Sequence, residues 1–338
     1  MLQQQQTPLG CIRHDEYTVG WVCALPIERY AAQKMLDETY AESYRTNNDT
    51  NIYTLGCINR HNVVIACLPS SQMGTNSAAA VAAQMRSTFP SIEFGLMVGI
   101  GGGVPSKERD IRLGDVVVGI PTELNGGVVQ YDYGKSTQNG FQRTGFLNAP
   151  PTLLLNGISL LRATGNHNPI STTLVGHMSG FDRWPEFSRQ AAGPDILFEA
   201  DYTHFGGISC ESCDPKKTVE RRPYERGAVV HYGTIASGNQ VIRDATERDR
   251  LSSQLGGVLC FEMEAAGLMN HYPCLVIRGI CDYADSHKNK RWQPYAAGTA
   301  AAFAKQVLSV SYIKSTVYCP QESHLQHPMH IDPLLSMV

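Results

Sequence analysis

The chain has no long apolar run. Nothing in it approaches the ~18 consecutive apolar residues of a membrane-spanning helix, so a membrane is not an expected partner. It also lacks an excess of either charge. Lys plus Arg number 28 and Asp plus Glu 31, a formal net charge of −3 at pH 7. Such a balance argues against a surface built for nucleic acid. The opening residues, MLQQQQTPLGCIRHDEY, lack the apolar core of a secretory signal. Ten cysteines are scattered along the chain, several of them (Cys23, Cys67, Cys274, Cys281) inside apolar runs. That usage reads as free, buried thiols rather than a disulfide frame, and it predicts a cytoplasmic protein. Two nucleotide motifs are missing as well. No Gly-Lys-Ser/Thr follows the glycine cluster at 98–105, and Gly99-x-Gly101-x-x-Val104 lacks the last glycine of a dinucleotide fingerprint. No cofactor is expected.

What is present is a sizeable core and a regular alternation. The chain has 338 residues, 42% of them hydrophobic, enough for one large α/β domain or two small ones. Strand-like runs are read at 17–25, 62–69, 93–104, 114–121, 229–238 and 273–282. Helical patterns are read at 26–36, 76–89, 153–163, 245–255, 261–270 and 295–310. Pro26 stands at a first helical position. Residues 164–228 are polar, with few clear elements. Several strands are apolar on both faces, so layers must cover both. The predicted fold is a three-layer α/β/α sandwich around a mixed, largely parallel central sheet. Residues 1–15 and 313–338 read as flexible tails. A domain over 16–312 lies between them, with an extended insertion at about 146–228.

In a parallel sheet, ligands sit beyond the carboxyl ends of the strands. Glu28, the glycine cluster after Val98, the SGNQ after Ala236 and Asp282 all fall at such ends. Each also has a plain structural reading. Glu28 and Glu264 are acids where helices begin, which the helix dipole favours. Asp282 suits a turn or an N-cap. The glycines suit a tight turn as well as a backbone that faces a ligand. What tips the balance is convergence: three acids on one sheet edge suit chemistry that makes positive charge on a sugar and protonates a leaving group. CESC at 210–213 is half of a zinc pattern with His204 close by, but no second CxxC or suitably spaced His pair accompanies it. No metal is expected. The run HKNKRW at 287–292 is either a solvated loop or a lid offering Lys288, Lys290 and Arg291 to phosphate.

FEMEAAG at 261–267, followed by VIRGICDYAD at 276–285, resembles the signature of the nucleoside phosphorylase / nucleosidase superfamily. The similarity is strongest to its fungal branch and to methylthioadenosine/S-adenosylhomocysteine nucleosidases. It covers about 17–135 and 229–310, with the glycine cluster and Ser237–Gly238 in the order that the family requires.

The resemblance implies a purine nucleosidase that hydrolyses the N-glycosidic bond of an adenine nucleoside or nucleotide, adenosine or ATP. It implies Asp282 as the acid at purine N7, Glu264 on the ribose hydroxyls with Met263 under the sugar, and Glu28 positioning water with Arg278 near it. Backbone around Gly99, Ile100 and Gly101 would line the sugar side, and Val241 and Ile242 the base edge. Nucleosidases carry an aromatic residue where this chain has Val241. Phe261 or Trp292 is the expected substitute. The first βα turn reads ALPIER, with Glu28 where a phosphorylase carries phosphate ligands, which favours water over phosphate as nucleophile. The alternatives are a phosphorylase and an inactive nucleotide-sensing module. A small-molecule purine is the expected partner, with assembly into a homodimer or higher homo-oligomer.

The chemistry fits these residue types. Glycosidic cleavage leaves cationic character on ribose and electron density on the base, and a positioned acid is worth ~10²–10⁴-fold. The apolar run before Asp282 is the kind of setting that raises a carboxyl's pKa toward neutrality.

Overall fold

A computed structural model describes residues 12–41, 49–164, 170–207, 209–223 and 227–311, without side chains at 170–172. The strands are β1 (Val19–Cys23), β2 (Glu38–Tyr40), β3 (Tyr53–Ile58), β4 (His61–Cys67), β5 (Phe94–Gly103), β6 (Val116–Gly119) and β7 (Val128–Gln130). They continue with β8 (Gly134–Thr137), β9 (Gly140–Arg143), β10 (Val230–Gly233), β11 (Ile235–Ser237), β12 (Cys260–Glu262) and β13 (Cys274–Asp282). The helices are α1 (Pro26–Met35), α2 (Thr75–Thr88), α3 (Thr152–Thr164), α4 (Ile170–Met178), α5 (Arg189–Ala192), α6 (Ala245–Gln254) and α7 (Gln293–Val310).

The central path runs β10-β6-β13-β5-β1-β4-β3-β2, with β12, β11 and β7 branching from β5. Its middle is parallel: β5 lies between β1 and β13, and β1 also pairs with β4. Antiparallel pairs join β13 to β6, β5 to β12 and β4 to β3. The fold is therefore the mixed, largely parallel α/β sandwich that the alternating pattern predicts.

Strand alternation explains the two covered faces. Val19, Trp21 and Cys23 of β1 join Val63 and Ile65 of β4 and Leu275 and Ile277 of β13 in one core, under α1, α3 and α7. Val22, Val64, Ala66 and Val276 point the other way and pack with Ala78, Val81, Ala82 and Met85 of α2. Every residue of β1 and β13 is buried. Helix α7 owes its fit to small side chains, because Ala296, Ala297, Ala300, Ala301 and Ala304 are all buried between the sheet and the neighbouring helices.

Several readings need correction. FEMEAAGLMN is not a helix: β12 runs through Glu262, and a single 3-10 turn follows at Ala265–Gly267. Pairing of β12 with both β11 and β5 overrides the helical composition. The glycine cluster is not a turn either, since Gly99, Gly101, Gly102 and Gly103 continue β5. The stretch 229–238 divides into β10 and β11, which pair with different neighbours. The polar stretch 164–228 contains α4 and α5. Of the expected tails, 1–11 and 313–338 lie outside the described residues, while His14–Glu16 form a 3-10 turn whose Glu16 carbonyl accepts from Asn62 Nδ2. Cys23, Cys67, Cys210, Cys213, Cys260, Cys274 and Cys281 are free thiols, but Cys57 is disulfide-bonded. No helix among the described residues is long and apolar enough to cross a membrane.

Candidate active site

Beyond the carboxyl ends of β1, β5 and β13 lies a cleft of about 300 Å³. Glu28, Met263, Glu264 and Asp282 line it, together with Ile100, Gly101, Val241, Ile242 and Phe261. Residues separated by up to 254 positions in sequence thus share one wall. Glu28 arrives because β1 ends at Cys23 and α1 begins at Pro26. In the first turn of α1, Glu28 Oε2 accepts the Ala24 and Leu25 N–H groups at 2.7 and 2.9 Å. Its Oε1 accepts the Ile100 N–H of β5 at 2.8 Å. The cap reading and the site reading of this residue therefore both hold. Burial pushes the Glu28 carboxyl up, against the opposing pull of Arg278 and the three backbone N–H groups.

The glycines of β5 make the close approach possible. A Cβ on Gly99 would lie 2.4 Å from Arg278 Nη1 and 2.5 Å from Glu28 Oε1. One on Gly102 would lie 2.8 Å from Asp282 Oδ1. Gly99 itself is set behind the cleft wall, as is Arg278, which is fully buried in β13.

Arg278 organises the acids. Its Nη2 donates in a very short hydrogen bond to Glu262 Oε2 and lies 3.4 Å from Glu264 Oε2. Glu262 in turn accepts the Glu264 N–H at 3.1 Å and the Ala265 N–H at 3.0 and 3.2 Å. The sequence reading gave Glu262 no role. The available signal was the pair Glu262–Glu264, two acids at i and i+2 facing a strand with a buried arginine that needs countercharge. Burial, the negative charges of Glu262 and Glu28, and only partial relief from Arg278 push Glu264 up to about 7. Arg278 Nε and Nη1 make no hydrogen bond among the described residues.

Asp282 is placed by an irregularity. The β13–β5 register shifts between Ile280 and Asp282, so Cys281 and Asp282, which regular pleating would send to opposite faces, both border the cleft. Asp282 Oδ1 accepts the Ala284 N–H at 2.9 Å, and Oδ2 accepts from Cys281 Sγ at 3.0 Å. Lys288 Nζ lies 3.0 Å from Asp282 Oδ2. Burial opposes the Lys288 charge, but Asp282 outweighs it and holds the ammonium above its ordinary range. The cationic run is therefore not a free lid, because its first lysine is an ion-pair partner of the proposed acid. Lys290 borders the cleft too. Ala284, in the turn after Asp282, has φ of 51°, a left-handed conformation that costs a non-glycine residue about 1–3 kcal/mol.

Two aromatic residues were candidates for stacking on a base. Phe261 borders the cleft and packs edge-on against Tyr131, with ring centroids 5.6 Å apart. Trp292 does not reach it. It is 2% exposed and borders a neighbouring cavity of about 760 Å³, where Arg189 covers its ring at 4.2 Å. That cavity meets the cleft at Cys281, Asp282, Lys288 and Lys290, and adds Arg243 and Arg291. Ala192, Pro194, Ile196 and Phe198 form part of its wall. Tyr283, next to Asp282, donates a very short hydrogen bond to Asp195 and accepts one from Arg221 at 2.8 Å.

With the geometry described, comparison with known proteins places the chain. The sequence pattern of the phosphorylase superfamily matches residues 187–309. A nucleotide-binding leucine-rich repeat (NLR)-like protein of Hyaloscypha variabilis is 49% identical over 297 residues, covering 88% of this chain and 29% of that protein. An ATP nucleosidase of Escherichia coli is 24% identical over 299 residues, covering 86% of this chain and 51% of that protein. The crystal structure of a 5'-methylthioadenosine/S-adenosylhomocysteine nucleosidase from Neisseria meningitidis aligns with a TM-score of 0.55 at 17% identity, covering 86% of this chain and 98% of that one. Residues 187–309 thus carry the pattern of the phosphorylase superfamily, and 86% of the chain shares the fold of a solved nucleosidase. The chain spans under a third of the NLR-like relative and about half of the ATP nucleosidase.

Proposed function

We propose that the chain is a purine nucleosidase that hydrolyses the N-glycosidic bond of an adenine nucleoside or nucleotide. The observation that carries this reading is the meeting of Glu28, Glu264 and Asp282 with Met263 in one cleft at the strand ends. Asp282 is the acid at purine N7. Lys288 and the Ala284 N–H fix its carboxyl on one side of the cleft. Glu264 accepts the ribose 2′- and 3′-hydroxyls, and Met263 lies under the sugar. Phe261, rather than Trp292, offers its face to the base, with Val241 and Ile242 at the base edge.

Water attacks C1′ as the bond to N9 breaks. Its oxygen ends on the sugar. Asp282 gives its proton to the base, and the proton lost by water passes to Glu28. Glu28 Oε1 has one backbone donor and a second lone pair to spend on that water. Arg278 Nη1, buried and without a hydrogen-bond partner among the described residues, flanks Gly99 beside it. Developing positive charge on ribose is met by carboxylates already aimed and desolvated, which is where electrostatic stabilisation is strongest.

Water is favoured over phosphate on charge. Among the described residues bordering the cleft, the cations are Lys288 and Lys290, and Lys288 is engaged with Asp282. Arg278 is held by Glu262 and Glu264. A phosphate beside Glu28 would meet carboxylates. The adjoining cavity supports a 5′-phosphorylated substrate: Lys288, Lys290, Arg243 and Arg291 border it, and such side chains make charge-assisted hydrogen bonds to phosphate oxygens. That the Escherichia coli relative is an ATP nucleosidase supports a nucleotide substrate here as well. The test is kcat/KM for ATP, AMP and adenosine, in the parent chain and in Lys290→Ala and Arg243→Ala. Nucleotides are expected to outrun adenosine and to lose about tenfold on either substitution, the size of one charged contact. A tenfold preference for adenosine, or nucleotide rates untouched by both changes, rejects the phosphate subsite and leaves an adenosine nucleosidase.

A further inference from the structure

The insertion carries a cluster that the proposed reaction does not use. His204, Cys210 and Cys213 present ligand atoms that all lie within 4.8 Å of one another. His204 Nδ1 is 3.1 Å from Cys213 Sγ. Its Nε2 lies 3.4 Å from the Gly207 carbonyl, and a donor bond there assigns the lone pair to Nδ1, facing the thiol. An imidazole whose other nitrogen donates to a backbone carbonyl is the usual setting of a metal-ligating histidine. The His204 backbone is also fixed, donating to Ser286 Oγ at 2.9 Å.

A second observation comes from the other side of the chain. His287 has a side chain only 5% exposed, with Nδ1 3.7 Å from Asp285 Oδ2, beyond hydrogen-bond reach, and neither of its ring nitrogens makes a hydrogen bond among the described residues. An unsatisfied buried polar group costs about 1–3 kcal/mol. Its ring stacks on Phe198 at 4.0 Å and stands edge-on to His204, with centroids 5.5 Å apart. Its backbone carbonyl already accepts from Cys210 Sγ at 3.7 Å. Four side chains of the two ligand types that suit zinc, imidazole and thiol, thus meet where 204–213 touches the loop after Asp282.

We propose that His204, Cys210 and Cys213 bind one zinc-class transition-metal ion, with His287 as the fourth ligand. A tetrahedral site with Zn–S near 2.3 Å and Zn–N near 2.0 Å sets its ligands roughly 3.3–3.8 Å apart. For His204, Cys210 and Cys213, whose ligand atoms lie within 4.8 Å of one another, movements of about 1 Å reach that spacing, and the His287 ring turns in to complete the set. Both thiols lose their protons to solvent on binding, and no redox change occurs. The role is structural, in that the ion clamps the insertion to the loop that carries Lys288, the ion-pair partner of Asp282. The CESC pattern therefore has its partners after all. They lie 6 residues before it and 74 after it, spacings that no zinc motif would suggest.

The test uses the full chain, purified under reducing conditions without chelator. Elemental analysis is expected to give about one zinc per chain. Cobalt exchange is expected to give a thiolate-to-cobalt charge-transfer band. Cys210→Ser with Cys213→Ser removes both signals, and His287→Ala weakens zinc affinity by at least about tenfold, measured by competition with a chromogenic chelator. Should the double variant fail to fold, titration of the parent chain with an organomercurial decides, because zinc must leave as Cys210 and Cys213 are modified. Absence of zinc together with absence of a cobalt band overturns the proposal, as does a Cys210–Cys213 disulfide in the reduced preparation. Unchanged affinity in His287→Ala removes His287 from the site.

Discussion

Replacing Asp282 by Asn is the sharpest probe of the leaving-group chemistry. Asn keeps the shape, and its Oδ1 can still accept the Ala284 N–H at 2.9 Å. Two things are lost: a carboxyl that, once protonated, can give its proton to the base, and, in its ionised form, a negative charge 3.0 Å from Lys288 Nζ. The second loss is small in stability, because the Lys288 side chain is 31% exposed and its ammonium can turn to water. A partly exposed ion pair is worth about 0.2–1 kcal/mol, a few degrees in Tm at most for a domain of this size. The first loss is large in rate. A positioned acid contributes ~10²–10⁴-fold, which is about 2.7–5.4 kcal/mol of barrier. Steady-state release of free adenine, with thermal melts of the same preparations, separates the two. The variant is expected to melt within a few degrees of the parent and to turn over at about a hundredth of its rate or less. Retention of more than about a tenth of kcat at unchanged Tm would refute Asp282 as the acid.

Arg278→Met leaves Glu262 and Glu264 buried without their cation, and breaking such a cluster costs about 3–5 kcal/mol. Denaturant unfolding checks this, and a loss under about 1 kcal/mol would show that the arginine does not hold the acids. Glu264→Gln is expected to lower kcat more than it raises KM, since its charge counts most when ribose becomes cationic; a change confined to KM would make it a binding residue only. The same side chain carries a pH signature in stability. Its carboxyl is raised from an ordinary 4.5 to about 7, so the folded state holds a proton that the unfolded chain has released. Its contribution is then full below about pH 4.5 and is lost as pH rises through 7, by up to roughly 3 kcal/mol. Urea midpoints measured from pH 5 to 8 should fall with pH in the parent and fall less in Glu264→Gln; parallel profiles would contradict the raised carboxyl.

Legibility in the sequence followed the physics of each element. β1, β13 and α7 are mostly apolar or Ala-rich, because nearly all of their residues are buried, and their patterns could be read directly. β12 could not be, since Phe-Glu-Met-Glu-Ala-Ala has helical composition and only its pairing with β11 and β5 makes it extended. The glycine run read as a turn, yet it is a strand kept bare so that Glu28, Arg278 and Asp282 can approach it. The acids were legible as strand-end features. The Lys288–Asp282 pair was not, as it depends on how the turn with positive-φ Ala284 folds back. Trp292 was misplaced for a related reason. Its nearness to Asp282 in sequence is undone by the same loop, which turns it into the neighbouring cavity against Arg189.

The central claim is hydrolysis at an adenine glycosidic bond, and the fate of water tests it most directly. Purified chain is incubated with ATP, AMP or adenosine in ¹⁸O-labelled water, with and without inorganic phosphate, and the base and sugar products are analysed by mass spectrometry. The account predicts free adenine at the same rate in both conditions, with one ¹⁸O on the sugar product. Adenine release that requires phosphate and yields a sugar 1-phosphate, or tight binding of all three compounds without any base release, would contradict it.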